Sequence, residues 1–258
     1  ERYGPLTDAV RIEFAGVLAR AGRIGEAERL LMQGSPTFDD LRLLASIYSS
    51  AGQFSKAVGI YEQMLAMRPG DRDTLLGLAD NLSWSRNYDG AARIYRQLLR
   101  GEADDGDVRK RLAESLLYEK QYEQSVNEFA ALLHQSPQRH DLWNGFLMAA
   151  AGSPVLPKSC NELLDRIYQQ RDRQEDTQFL KNLACAVAKH GRLVDAVPLF
   201  ETVVDREPLN ADARLQLADV LHSLKRFDEA DIHYRKLMAD MEPHTLRTSE
   251  TTVHDTQP

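Results

Sequence analysis

Cysteine is scarce in this chain. Cys160 and Cys185 are its two cysteines in 258 residues. They stand too few and too far apart in sequence for a metal-ligand motif. A disulfide between them stays open, beside the simpler reading of two free thiols in helices. Long apolar runs are missing too. No stretch approaches the roughly 18–20 consecutive apolar residues of a spanning helix, so no membrane span is predicted. Basic excess is absent: 32 Lys and Arg face 39 Asp and Glu, for a net charge of −7. Duplex nucleic acid, whose binding needs a basic stripe, is therefore not an expected partner. The seven histidines, at 134, 140, 190, 222, 233, 244 and 254, form neither HExxH nor a pair with a third ligand. GxGxxG, Walker and GxSxG motifs are all missing. No metal, cofactor or catalytic residue is predicted, and the acidic residues are read as solvated helix faces. Asn81-Leu82-Ser83 matches a glycosylation triplet but falls inside an expected helix.

What the chain does have is a period. Ala45, Ala79 and Ala113 fall 34 residues apart, as do Ala57, Ala91 and Ser125, and Tyr61, Tyr95 and Phe129. The same interval separates Ala184 from Ala218, Ala196 from Ala230, and Phe200 from Tyr234. A single globular core does not require such recurrence. A stack of like helix pairs does, because each pair presents the same small and large residues to the next. Within residues 38–71, Leu41, Leu44, Ala45 and Tyr48 mark one helix face. Gly52 closes that helix, and Phe54, Ala57, Val58, Tyr61 and Leu65 mark a second. Pro69 ends it. The alanines at 45 and 57 are placed where the two helices cross.

The order Leu, Ala, Tyr, Gly, Phe, Ala, Tyr, Pro in this segment resembles the tetratricopeptide repeat (TPR), as does the period. The resemblance covers about residues 8–244 and implies an all-α fold, a right-handed TPR superhelical solenoid of about seven helix-turn-helix repeats. The expected repeats are 8–37, 38–71, 72–105, 106–139, 140–176, 177–210 and 211–244. The first is short in its second helix. The fifth is irregular: Ala-Gly-Ser-Pro-Val-Leu-Pro across 151–157 stands where one tight turn is expected, and its second helix is placed at Asn161 to Gln170. A kink or a boundary is expected there. Residues 1–7 are read as a lead-in and 245–258 as a disordered tail or linker. The look of both ends suggests a segment of a longer protein, either cytoplasmic or from a bacterial periplasm.

By the same resemblance, the first helix of each pair lines a concave groove, where a protein or peptide partner would bind. The groove positions supply Arg42, Asp80, Trp84, Lys110, Glu114, Tyr118, Lys181 and Lys189 as candidate contacts. Trp84 and Tyr118 occupy equivalent places in adjacent repeats, as anchors would. Asp39, Asp73, Asp107, Asp141 and Asp212 all stand second in their repeats. They are read as first-turn acids that offset the helix dipole, rather than as a ladder for a basic partner. The Lys–Asn, Asn, Lys–Arg set by which TPR co-chaperones hold a heat-shock protein's carboxylate is not present. Its nearest matches, Arg42 with Ser46 and Lys181 with Cys185, lack the asparagine. The leading expectation is a non-catalytic protein-interaction scaffold. The alternative rests on Leu82 to Asp89, which resembles a stretch in the periplasmic TPR arms of bacterial exopolysaccharide export proteins and implies glycan or export partners. Self-association through the end repeats is a third possibility.

Overall fold

In the computed structural model, residues 8–102, 104–170 and 176–241 are described. The lead-in, Ala103, most of the link before residue 176, and the tail lie outside them. The described residues form fourteen α-helices and no strand. The first eight are α1 (Asp8–Arg20), α2 (Ile24–Leu31), α3 (Phe38–Ser50), α4 (Phe54–Met67), α5 (Arg72–Trp84), α6 (Tyr88–Gly101), α7 (Gly106–Tyr118) and α8 (Tyr122–Gln135). Then follow α9 (His140–Gly152), α10 (Lys158–Gln169), α11 (Thr177–Lys189), α12 (Leu193–Arg206), α13 (Ala211–Ser223) and α14 (Phe227–Met241). The chain divides into two compact units, residues 1–146 and 147–258. The all-α architecture and the number of helices are those the period predicts.

Six of the helices start on a side-chain cap. Thr37 caps α3 in a reciprocal box: its hydroxyl accepts from the Asp40 amide while Asp40 accepts from the Thr37 amide. Asp71, Asn87, Asp105, Asp176 and Asn210 accept from first-turn amides of α5, α6, α7, α11 and α13. Such caps contribute about 1 kcal/mol each. In the first unit, Ala45, Ala57, Ala79, Ala91, Ala113 and Ser125 are all fully buried at the crossings. The one hydroxyl among them is satisfied, since Ser125 Oγ donates to the Ala113 carbonyl at 2.8 Å.

Packing between successive pairs also asks for the absence of a side chain. A Cβ on Gly77 would lie 2.5 Å from the Tyr61 ring, and one on Gly145 would lie 2.3 Å from the Phe129 ring. Tyr61 and Phe129 hold the same place in their repeats, and each ring occupies the gap that the next pair's glycine leaves open.

In the second unit, Ala184, Ala196, Ala218 and Ala230 repeat the buried crossings. Here the fifth pair departs from expectation. Ala151 and Gly152 belong to α9, and α10 begins at Lys158 rather than Asn161. Pro157 sits at the N-cap of α10, where its missing amide hydrogen costs nothing, and this starts the helix three residues early. Leu156 is buried and Ser153 Oγ donates to the Val155 carbonyl, so the Pro-rich connection is pinned at both ends. Both thiols are free, with Cys160 buried and Cys185 partly so. Burial pushes both thiols above their ordinary range, which disfavours the reactive thiolate.

Candidate interaction surface

In the first unit, Trp84 ends α5 and Tyr118 ends α7. They are 54% and 60% exposed. Neither stacks on the other. Trp84 leans on Phe54, the first residue of α4, with ring centroids 5.5 Å apart and planes at 46°. Tyr118 stacks on Tyr88, the first residue of α6, at 5.1 Å and 25°. The period explains the arrangement: the end of one first helix meets the start of the preceding pair's second helix. Each ring is thus held on one side and open on the other. Both ring pairs lie on the edge formed by the turns within the helix pairs.

The turns on that edge are unusual. The second pair turns through Gly52 at φ 69°, where glycine carries no steric cost. The third and fourth turn through Arg86 at φ 66° and Lys120 at φ 62°. A residue with a Cβ in this left-handed region costs about 1–2 kcal/mol. Both cations are exposed, and neither has an ion-pair partner among the described residues. Sequence reasoning passed over them, although a long cation in the consensus glycine place was visible there.

The charged candidates are largely committed to the fold. Asp80 accepts from the Tyr95 hydroxyl at 2.6 Å and pairs with Arg111 of the next first helix. Burial and that carboxylate push the Tyr95 phenol above its ordinary range, so it remains a donor. Lys110 pairs with Asp141 at 3.0 Å and approaches Glu114 at 3.7 Å. Arg42 pairs with Asp39 at 2.8 Å on the surface of α3. In the second unit, Lys181 pairs with Asp212 at 2.6 Å, and Lys189 is exposed near the end of α11.

These pairs give the second-place aspartates a further role. Asp141 and Asp212 each take the lysine of the preceding first helix, so a charge at a helix start also ties neighbouring repeats together. Hydrogen bonds from Arg139, with help from Lys110, hold the Asp141 carboxyl well below the usual carboxylate range. Asp73 has no ion pair among the described residues, so for it the helix terminus alone remains. The Asn81 amide is in use: Nδ2 donates to the Gly77 carbonyl, and Oδ1 accepts from Ser49 at 2.8 Å. Among the described residues no cluster of three metal-ligating side chains occurs, and no helix is long and apolar enough to cross a membrane.

Two sequence profiles, both described as tetratricopeptide repeat, match this chain. One covers residues 85–147 and 188–241, the other residues 41–75. Together they span more than half of it. The chain belongs to the tetratricopeptide-repeat family. Similar solved structures agree in fold. A tetratricopeptide repeat protein from Parabacteroides merdae superimposes with a TM-score of 0.55 at 14% identity, over 91% of this chain and 93% of that one. The C-terminal part of a TPR repeat-containing protein from Cytophaga hutchinsonii gives a TM-score of 0.60 at 15% identity, over 82% of this chain and 88% of that one. No curated protein matches in sequence. TPR proteins generally mediate protein–protein interaction, and the fold is typically a non-catalytic scaffold.

Proposed function

We propose that this TPR chain is a non-catalytic scaffold that holds a protein segment along the turn edge of α3–α8. Trp84 and Tyr118 are the apolar anchors, and Arg86 and Lys120 supply the charge. The observation that carries this reading is the coincidence of two half-open ring pairs with two unpaired cations held in a strained backbone conformation. Strain of that kind persists where it serves a purpose. Rings fixed on one face lose little entropy when a partner covers the other, which suits them as hot spots. The segment that fits is a peptide with apolar side chains flanked by carboxylates. Asp80, Glu114, Arg42 and Lys110 steer or frame it rather than grip it, since their charges are already paired. Lys181 and Lys189 lie on the other unit.

Selection of the chain against a random peptide library tests this. Enriched sequences should combine aromatic or aliphatic residues with Asp or Glu. The double change Trp84→Ala, Tyr118→Ala should weaken the selected peptides by about 30-fold or more, the effect of losing an anchor worth about 2 kcal/mol. Arg86→Gly should weaken them while raising the melting temperature, because it relieves the strain. Undiminished binding by the double variant would remove the site from this edge. The export reading rests on Leu82 to Asp89 alone. Its Trp84 and Tyr88 belong to two different ring pairs, and the turn geometry already accounts for both.

A further inference from the structure

In the first unit, the last place of a first helix meets the first residue of the preceding pair's second helix. Trp84 meets Phe54 in this way, and Tyr118 meets Tyr88. One seam earlier the same places hold Ser50, the last residue of α3, and Ile24, the first of α2. A serine side chain is too short to cover what a ring covers in the next two seams. A cavity of about 350 Å³ opens there, between α1 and α3.

Its apolar lining includes Ala19, Ile24 and Leu43, half-buried against the core, and the buried Ile47. Arg20 and Ser50 are exposed parts of the same lining. Every lining residue lies within 16–51, so the helices on both sides of the seam are in place. The size stands at the lower end of ligand pockets, about 300–1,000 Å³, and suits one side chain rather than a folded element. Arg20 has no ion-pair partner among the described residues.

We propose that this cavity is a socket for one aromatic side chain of the segment bound along the turn edge, with Arg20 taking a carboxylate beside that ring. The inference rests on the scaffold reading above and extends its site by one seam. In the next two seams the chain supplies the ring itself. Those internal copies give the occupant's shape: a ring laid on the first residue of the second helix. Here the partner supplies it. The three seams are consecutive, so the socket continues the row of the two ring pairs. An aromatic side chain seated in an apolar pocket is what an interface anchor requires. A guanidinium can hold the adjacent carboxylate through two parallel hydrogen bonds.

Ser50→Trp tests this twice. The new indole should settle in the socket against Ile24, as Trp84 does on Phe54, and raise the melting temperature. It should also bar the partner's ring. Peptides selected from the random library on the parent chain should therefore bind the variant at least tenfold more weakly. Glu62→Trp, an equally bulky change at an exposed place on α4, should leave their binding unchanged. Arg20→Gln should weaken those peptides that carry Asp or Glu next to an aromatic residue, and no effect on them would remove the carboxylate from the proposal. A lowered melting temperature for Ser50→Trp, or binding equal to the parent's, would overturn the socket. If Ser50→Trp binds normally while the double change Trp84→Ala, Tyr118→Ala does not, the socket falls and the edge anchors stand. The reverse pattern keeps the socket and removes those anchors. A library that yields no binder would overturn both.

Discussion

At the residue scale, the same change has opposite consequences at two glycines. Both are helical, so alanine gains about 0.5–1 kcal/mol at each from backbone entropy. A methyl group on Gly59 in α4 would meet nothing within 4 Å, so Gly59→Ala should stabilise by about that amount. At Gly145 the methyl would meet the Phe129 ring at 2.3 Å, and that ring is fully buried. Overpacking there costs about 1–3 kcal/mol, so Gly145→Ala should be destabilising on balance. Urea unfolding of the two variants checks this. A higher midpoint for Gly145→Ala would mean that Phe129 can leave its slot freely. The sequence shows the rings at 61 and 129 through their spacing. Gly77 and Gly145 stand 68 residues apart, in the same place of their repeats, but Arg111 holds that place in the repeat between them, so spacing alone does not single them out as the counterparts of the rings. Likewise, Trp84 and Tyr118 are legible as equivalent residues, but their real partners, Phe54 and Tyr88, lie thirty residues upstream of each and become evident only when the pairs are stacked.

At the element scale, the period outvotes local propensity. Pro198 lies inside α12, where a local reading would end the helix. Ala196 and Phe200 keep the 34-residue register across it, and the helix runs through. The proline is exposed, and Val194, whose carbonyl loses its amide partner, is 72% exposed. Water can therefore satisfy the orphaned oxygen, and this makes the break tolerable. Pro198→Ala should restore the hydrogen bond and raise stability by about 1–3 kcal/mol, seen as a higher urea midpoint. A lowered midpoint would show that the proline is needed for a bend that packs α12. The α10 start shows the reverse case. The small-residue signature fails in that helix, register gives no guidance, and Pro157 as an N-cap decides the boundary locally.

At the scale of the whole molecule, a repeat array is held by interfaces between neighbours, and its charges can either join those interfaces or merely decorate helix ends. The sequence presents the second-place aspartates identically, so it cannot separate the two roles. The partners come from other repeats and are brought close only by stacking. Asp141 is the informative case, with Arg139 and Lys110 beside it. Its depressed carboxyl in the folded state means that its contribution is fully present above the ordinary carboxylate range, at about pH 4, and is lost as pH falls through the lower folded value. Asp141→Asn should therefore lower the melting temperature at pH 7, and the difference from the parent should shrink toward zero in strong acid. Partial exposure keeps the effect small, on the order of 1 kcal/mol or less. A second measurement separates the roles. If the aspartate acts through ion pairs, its substitution should cost little in a background carrying Lys110→Met and Arg139→Gln. If it acts on the helix terminus alone, the cost should be the same in both backgrounds. A difference from the parent that persists unchanged down to pH 2 would dismiss both electrostatic accounts, because the contribution of a depressed carboxyl must already be shrinking once the pH is below its ordinary range.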